Sequence, residues 1–93
     1  MSIKDTLIEK LEKQKDYWDK QIERLQVQLE EKQAKAESEK AAKELKAKTL
    51  EQINELREKA ASAREQMDEV RKSGEDRLKE VRGRIEDWIN RHS

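Results

Sequence analysis

The sequence has no cysteine, no proline and no phenylalanine, and it has only two glycines among 93 residues. Without cysteine, disulfides, thiol chemistry and cysteine-based zinc sites are excluded. Disordered chains are typically enriched in proline, glycine and net charge, so the scarcity of all three argues against disorder. These absences therefore favour regular secondary structure with few breaks.

Apolar residues are also scarce, at 32% of the chain against about 45–50% in typical globular domains. A monomeric core would be small. No apolar run approaches the ~20 residues of a membrane span, and residues 1–20 lack the apolar block of a signal peptide. The 22 basic and 22 acidic residues cancel, which removes long-range attraction to nucleic acid. We expect one unit over residues 1–93, cytoplasmic and without a nucleic-acid partner.

The residues that are abundant are strong helix formers, namely Glu, Lys, Gln, Ala, Leu and Arg. Such a composition is typical of coiled coils. An acidic residue precedes a basic one by four at ten places spread along the chain, the favourable order on a helix. The sequence therefore predicts an all-α fold.

Apolar residues recur at three- and four-residue steps in two stretches, Ile3 to Ala36 and Leu45 to Ile89. Both stretches average about 3.67 residues per step, a hendecad repeat that predicts a nearly straight or slightly right-handed oligomeric coiled coil. We predict that the apolar residues of the two stretches, both large and small, form the surface through which chains associate. We call this surface the association seam. The seam comprises Ile3, Leu7, Leu11, Trp18, Ile22, Leu25, Leu29, Leu45, Ile53, Leu56, Ala60, Ala63, Met67, Val70, Leu78, Val81, Ile85, Trp88 and Ile89.

The two stretches are out of phase. Nine residues separate Ala36 from Leu45, about half a turn out of step, and continuing the first stretch would place charged Lys40 and Glu44 in the seam. We therefore predict a long helical segment over residues 3–72 with a phase shift near residues 37–44. One explanation is a continuous helix whose apolar face moves to the opposite side.

The other explanation is a helical hairpin that turns around Glu37–Lys40, with Ser38 capping the second helix. The hairpin would bring Trp18 near the alanines at 60, 61 and 63, and Leu25 near Ile53. Because glycine and proline are absent at the turn, we favour the continuous helix.

Helix boundaries are marked at both ends of the segment. Ser2 reads as an N-cap with Asp5 three residues later. A second break follows at Ser73-Gly74, where Ser73 could cap a separate amphipathic helix over Glu75–Arg91. The alternative is a glycine tolerated inside one helix at a cost of about 1 kcal/mol.

A single helix cannot bury its own apolar stripe, so folding should be coupled to hairpin closure, to oligomerisation or to both. The expected partner is another copy of the chain. Three polar residues within the stripe, Gln14, Gln33 and Thr49, weaken it but could fix register and partner number.

No residue is predicted to be catalytic, to bind a cofactor or to bind a metal, and no small-molecule substrate is expected. The single histidine, His92, lies at a helix C-terminus, where it would complement the helix dipole. The carboxylates lie beside basic residues, and nothing there raises a pKa for acid–base catalysis. Trp18 and Trp88 lie on or beside the stripe, which favours core packing over anchoring at a membrane interface.

Three segments carry a resemblance to a known family: Leu11 through Ile22, Gln52–Arg57, and Ser73–Asp76 followed by a helix that bears Trp88. In them the chain resembles small bacterial coiled-coil proteins described as stress-response proteins of unknown activity. The resemblance implies a cytoplasmic helical protein without catalytic residues.

Three functions follow as hypotheses. The leading one is a non-enzymatic structural or interaction protein that self-associates and is linked to stress response. The second is a peripheral membrane-binding protein that uses the C-terminal helix, although the equal numbers of acidic and basic residues in that helix disfavour it. The third is a holdase-like chaperone whose Trp18 or Trp88 face is open to clients.

Overall fold

The computed structural model describes residues 2–92 and contains three α-helices. Helix α1 spans Ile3–Ala34, α2 spans Glu39–Lys72 and α3 spans Glu75–His92. No strand occurs in the described residues, so the all-α prediction is confirmed. Helices α1 and α2 form an antiparallel hairpin, and α3 folds back against its open end. The molecule is elongated, with dimensions of 59 × 19 × 19 Å.

The turn between α1 and α2 occupies residues 35–38, so our preference for a continuous helix is wrong. Ser38 is extended, with φ −149° and ψ 160°, and its Oγ accepts a hydrogen bond from the N–H of Ala41. This is the N-cap that the hairpin alternative predicted. Lys35 keeps right-handed angles, and no described residue has a positive φ. Because the turn needs no left-handed residue, it forms without glycine.

Contacts across the hairpin fix its register. Trp18 packs against Ala60 and Ala63, as the hairpin alternative predicted, whereas Ala61 is exposed. Near the turn, the Nε2 of Gln33 donates a hydrogen bond to the backbone oxygen of Ala42. The small alanine side chains therefore make room for the large indole of the facing helix.

The break between α2 and α3 lies at Ser73 and Gly74, where the sequence placed it, but the capping differs. The Oγ of Ser73 donates back to the oxygen of Glu69 at 2.6 Å, so it satisfies the end of α2 and does not cap α3. Gly74 holds the N-cap position of α3, because its oxygen accepts from the N–H groups of Arg77 and Leu78. The helix that follows ends at His92, one residue beyond the predicted end.

The end of the hairpin that α3 covers holds the main core. Helix α3 inserts three buried side chains between α1 and α2, and two half-buried ones, Trp88 and Ile89, pack at its far end. A hydrogen bond from the Nζ of Lys4 to the oxygen of Ser73 ties the start of α1 to the second turn. The main buried cluster comprises Leu7, Leu11, Met67, Val70, Leu78, Val81 and Ile85.

Candidate interaction surface

The molecule divides into two regions along its length. We call the three-helix region, residues 3–18 and 58–92, the base, and the two-helix region, residues 19–57, the arm. Helix α3 has 18 residues and is about 27 Å long, whereas α1 has 32 residues and is about 48 Å long. Roughly 21 Å of the hairpin therefore extends beyond α3.

The predicted seam residues divide between these regions. Ile3 is 45% exposed and lies outside the core, although the sequence placed it in the seam. Of the arm's seam residues, Ile53 alone is buried, and the others are half-buried. The buried members are Leu7, Leu11, Trp18, Ile53, Ala60, Ala63, Met67, Val70, Leu78, Val81 and Ile85. The half-buried members are Ile22, Leu25, Leu29, Leu45, Leu56, Trp88 and Ile89.

A groove runs between α1 and α2 in the arm, and we call it the arm groove. Its floor is formed by Leu25 and Leu56, both half-buried. Polar residues form the two edges, Gln21, Arg24 and Gln28 on α1 and Gln52 and Glu55 on α2. A second hollow on α2, nearer the turn, is lined by Ala41, Glu44, Leu45, Ala47 and Lys48.

The arm groove continues the surface on which α3 is seated. Glu55 lines both the arm groove and the cleft beside Trp88 and His92 at the end of α3. On α2, residues 69, 66, 62, 59, 55, 52 and 48 follow one another at three- and four-residue steps, and so share one edge of the helix. The arm groove is therefore the part of the α3-binding surface that α3 is too short to cover.

The seat of α3 has edges of opposite charge. Lys10 on α1 pairs with Glu86 of α3 at 3.7 Å, and Glu69 on α2 pairs with Arg84 of α3. The arm groove keeps the same polarity, with Arg24 on its α1 edge and Glu55 on its α2 edge. A helix seated there in the orientation of α3 meets Arg24 on one side and Glu55 on the other.

Three aromatic rings mark the junction between base and arm. Trp18 and Trp88 make an edge-to-face contact with centroids 5.4 Å apart and planes at 89°. The His92 ring lies 5.0 Å from the Trp88 ring. Both tryptophans therefore pack against other residues of the chain, Trp18 buried and Trp88 half-buried, as the sequence favoured, although nothing in the sequence indicated that they touch each other. An edge-to-face pair of this kind is worth about 0.5–1.5 kcal/mol beyond its buried area.

Two polar residues near the junction have distinctive surroundings. The pKa of Lys15 lies above its usual value of 10.5 because its ammonium group hydrogen-bonds to the carboxylate of Asp19, and the nearby charge of Asp16 adds to the effect. The Nε2 of Gln14 is buried and finds no hydrogen-bond acceptor within residues 2–92. An unpaired buried donor of this kind destabilises the core by about 1–3 kcal/mol.

Several other charged groups lie on the outside and pair locally. Exposed ion pairs join Glu9 to Lys13 and Asp87 to Arg91, two of the pairs with favourable helical spacing. Within the described range, no three His, Cys, Asp or Glu side chains gather where they could hold a metal ion. None of the three helices, over residues 2–92, is long and apolar enough to cross a membrane.

The apolar floor of the arm groove is predictable from the sequence, but its charged edges are not. Leu25 and Leu56 belong to the predicted seam, whereas Arg24 and Glu55 were not singled out. Helical spacing places these charges beside the seam, but which side faces α3 depends on where α3 packs. Comparisons with known proteins add no further guidance: no protein family, curated protein or solved structure matches the chain.

Proposed function

We propose that this chain is a non-enzymatic interaction protein that associates with other copies of itself through the arm. The observation that supports this is the unequal cover of one continuous surface. In the base, α3 seals the surface between α1 and α2, whereas in the arm the same surface has no third helix. A half-buried leucine contributes more once it is covered, at about 25 cal/mol per Å² of apolar surface removed from water.

The covered face of α3 makes the membrane hypothesis less attractive. Leu78, Val81 and Ile85 are buried in the base, so α3 has to leave the hairpin before this face meets a lipid surface. The holdase hypothesis loses support in a similar way, because Trp18 is 2% exposed and packs against Trp88. Self-association through the arm requires no such rearrangement. The link to stress response rests only on the family resemblance and stays a prediction.

The test is the molar mass of the full chain, measured by light scattering after size exclusion over a wide range of loading concentrations. We expect the mass to rise from one chain towards two as concentration increases. A mass of one chain at every concentration, up to the millimolar range, would reject the proposal. Liposome co-sedimentation in parallel checks the membrane hypothesis, for which binding to anionic vesicles is the expected sign.

A further inference from the structure

We propose that two copies dock arm to arm, with the arm groove of each facing the arm groove of the other, in an antiparallel arrangement with twofold symmetry. This inference rests on the proposed function and specifies its surface and register. Two hairpins packed face to face make a four-helix bundle, a stable way to bury apolar faces that two helices cannot close. A twofold contact uses the same patch on both copies and closes on itself.

The length of the free surface sets the position of the twofold axis. On α1 the arm groove begins at Gln21, the first residue of its α1 edge, and it ends with α1 at Ala34. A second copy that packs antiparallel against the same stretch of α1 is related to the first by a twofold axis at the midpoint of that stretch. This midpoint lies between residues 27 and 28. Interpolating between the contact of Trp18 with Ala60 and Ala63 and the contact of Gln33 with Ala42 puts residue 27 level with about residue 50 of α2. The axis therefore passes between residues 49 and 50 on α2.

This register pairs opposite charges on both helices. On α1, Arg24 lies on the groove edge, and Glu31 lies seven residues later on the same face. An axis between residues 27 and 28 brings Arg24 opposite the partner's Glu31. On α2, the same axis brings Lys48 opposite the partner's Glu51. Each pair occurs twice by symmetry, and Arg24 and Lys48 both line hollows of the arm.

This register also brings like charges together, with Lys20 opposite the partner's Lys35 on α1 and two glutamates opposite each other on α2. Glu44 on α2 lies opposite the partner's Glu55, and both residues line the surface. Two like charges at this spacing repel each other. This repulsion distinguishes the proposed register from others, because in this register removing one of the two glutamate charges strengthens the dimer.

The area involved predicts a weak dimer. A patch roughly 21 Å long on a molecule 19 Å wide covers roughly 400 Å² on each copy, or roughly 800 Å² in total. Stable complexes usually bury about 1,200–2,000 Å². Dissociation should therefore be visible at micromolar concentrations, and single charge substitutions should shift it measurably.

Cross-linking of single-cysteine variants tests the face that docks, and the chain has no cysteine of its own to interfere. Gln28→Cys lies beside the proposed axis on the arm groove, whereas Gln26→Cys is exposed at almost the same level but on the opposite side of α1. With a short bis-maleimide, we expect at least tenfold more cross-linked dimer for Gln28→Cys. Equal cross-linking of the two variants would overturn the proposed face.

A charge exchange tests the register. We expect Arg24→Glu and Glu31→Arg each to raise the dimer Kd by fivefold or more, and the double variant to return it to within a factor of three of the unmodified chain. Glu44→Gln should lower the Kd by about twofold. Circular dichroism checks that each variant keeps its helices. If a charge variant loses them, the comparison of Gln28→Cys with Gln26→Cys provides the test of the docking face.

The possible results separate the two proposals. A chain that stays monomeric at every concentration overturns both. A chain that dimerises with a Kd insensitive to Arg24→Glu, and that cross-links equally through positions 26 and 28, upholds self-association but overturns the arm-to-arm dimer. Selective cross-linking through position 28 together with restoration by the charge exchange supports both.

Discussion

The base and the arm are built from the same two helices but cover their apolar side chains to different extents. In the base, Leu11 is 0% exposed because α2 and α3 both pack against it. In the arm, Leu29 lies in the same stripe of the same helix and is only half-buried. Two helices cover one side of each stripe, and a third is needed to close the other.

The arm also carries apolar residues outside the stripe. Val27 is 55% exposed and Leu50 is 40% exposed, at the same level of the hairpin. Scattered exposed apolar side chains are normal on protein surfaces. The difference between base and arm therefore lies in the apolar stripe of each helix. The stripe runs through both regions, but α3 covers it only in the base. A repeat in the sequence specifies which side chains can be buried, and the helices present decide which of them are.

A matched pair of leucine truncations should separate the two regions most clearly. Leu11→Ala removes a fully buried side chain from the base, and we expect the free energy of unfolding to fall by about 3–4 kcal/mol. Leu29→Ala removes a half-buried one from the arm and should cost about 1–1.5 kcal/mol. Urea unfolding followed by circular dichroism measures both. Equal losses would show that the arm is covered as fully as the base under the conditions used.

The largest gain in stability should come from the unpaired amide in the base. Gln14 lies between Leu11 and Trp18 on the inner side of α1, and its Nε2 is buried without an acceptor in the described chain. Gln14→Met keeps the volume and removes the polar group, so we expect the unfolding free energy to rise by about 1–2 kcal/mol. The readout is the urea midpoint at unchanged slope. An unchanged midpoint would mean that the amide is hydrogen-bonded in solution.

A smaller gain should come from a glycine in the middle of α3. Gly83 is exposed, and an added Cβ would meet no atom within 4 Å, so Gly83→Ala should stabilise the chain by about 0.8–1 kcal/mol through helix propensity. Gly74 is equally uncrowded but holds the N-cap position, where alanine is unfavourable. Gly74→Ala should therefore lower the melting temperature while Gly83→Ala raises it. Shifts of the same sign in both variants would contradict this assignment of helix positions.

The sequence predicted the helices better than their arrangement. The nine-residue offset between Ala36 and Leu45 located the hairpin turn, yet we favoured a continuous helix because glycine and proline were missing. The structure shows why that criterion failed: Lys35 stays right-handed and Ser38 is extended, and neither conformation requires glycine. An N-capping serine was the better signal for this turn.

The arm groove could be predicted only in part. Its leucine floor follows from the apolar repeat, which is local information. Its charged edges depend on which side of the hairpin α3 occupies, a choice set by the short connection through Ser73 and Gly74 and by packing in the base. The contact between Trp18 and Trp88, 70 positions apart in the sequence, has the same origin. Periodicity within a helix carries no information about either feature.

The smallest expected effect lies at the junction, in the ion pair between Lys15 and Asp19. The raised pKa of Lys15 means that its charged form is favoured in the folded chain. Its contribution to stability is therefore complete below pH 10.5, the unfolded value, and is lost as the pH rises through the higher folded value. Because the side chain of Asp19 is 41% exposed, solvent screens the pair, and urea midpoints near neutral pH should not register its removal.

An NMR titration of the Lys15 side chain is sensitive enough to detect the pair directly. We expect a midpoint above 10.5 in the unmodified chain and a lower one in Asp19→Asn, because the substitution removes the main hydrogen-bonding and charge partner. Asp16→Asn is the matched control and should lower the midpoint less, since its carboxylate is the weaker partner. A larger decrease of the Lys15 midpoint in Asp16→Asn than in Asp19→Asn would mean that Lys15 pairs mainly with Asp16 in solution and not with Asp19. The junction would then lack this ion pair between a base residue and the first residue of the arm.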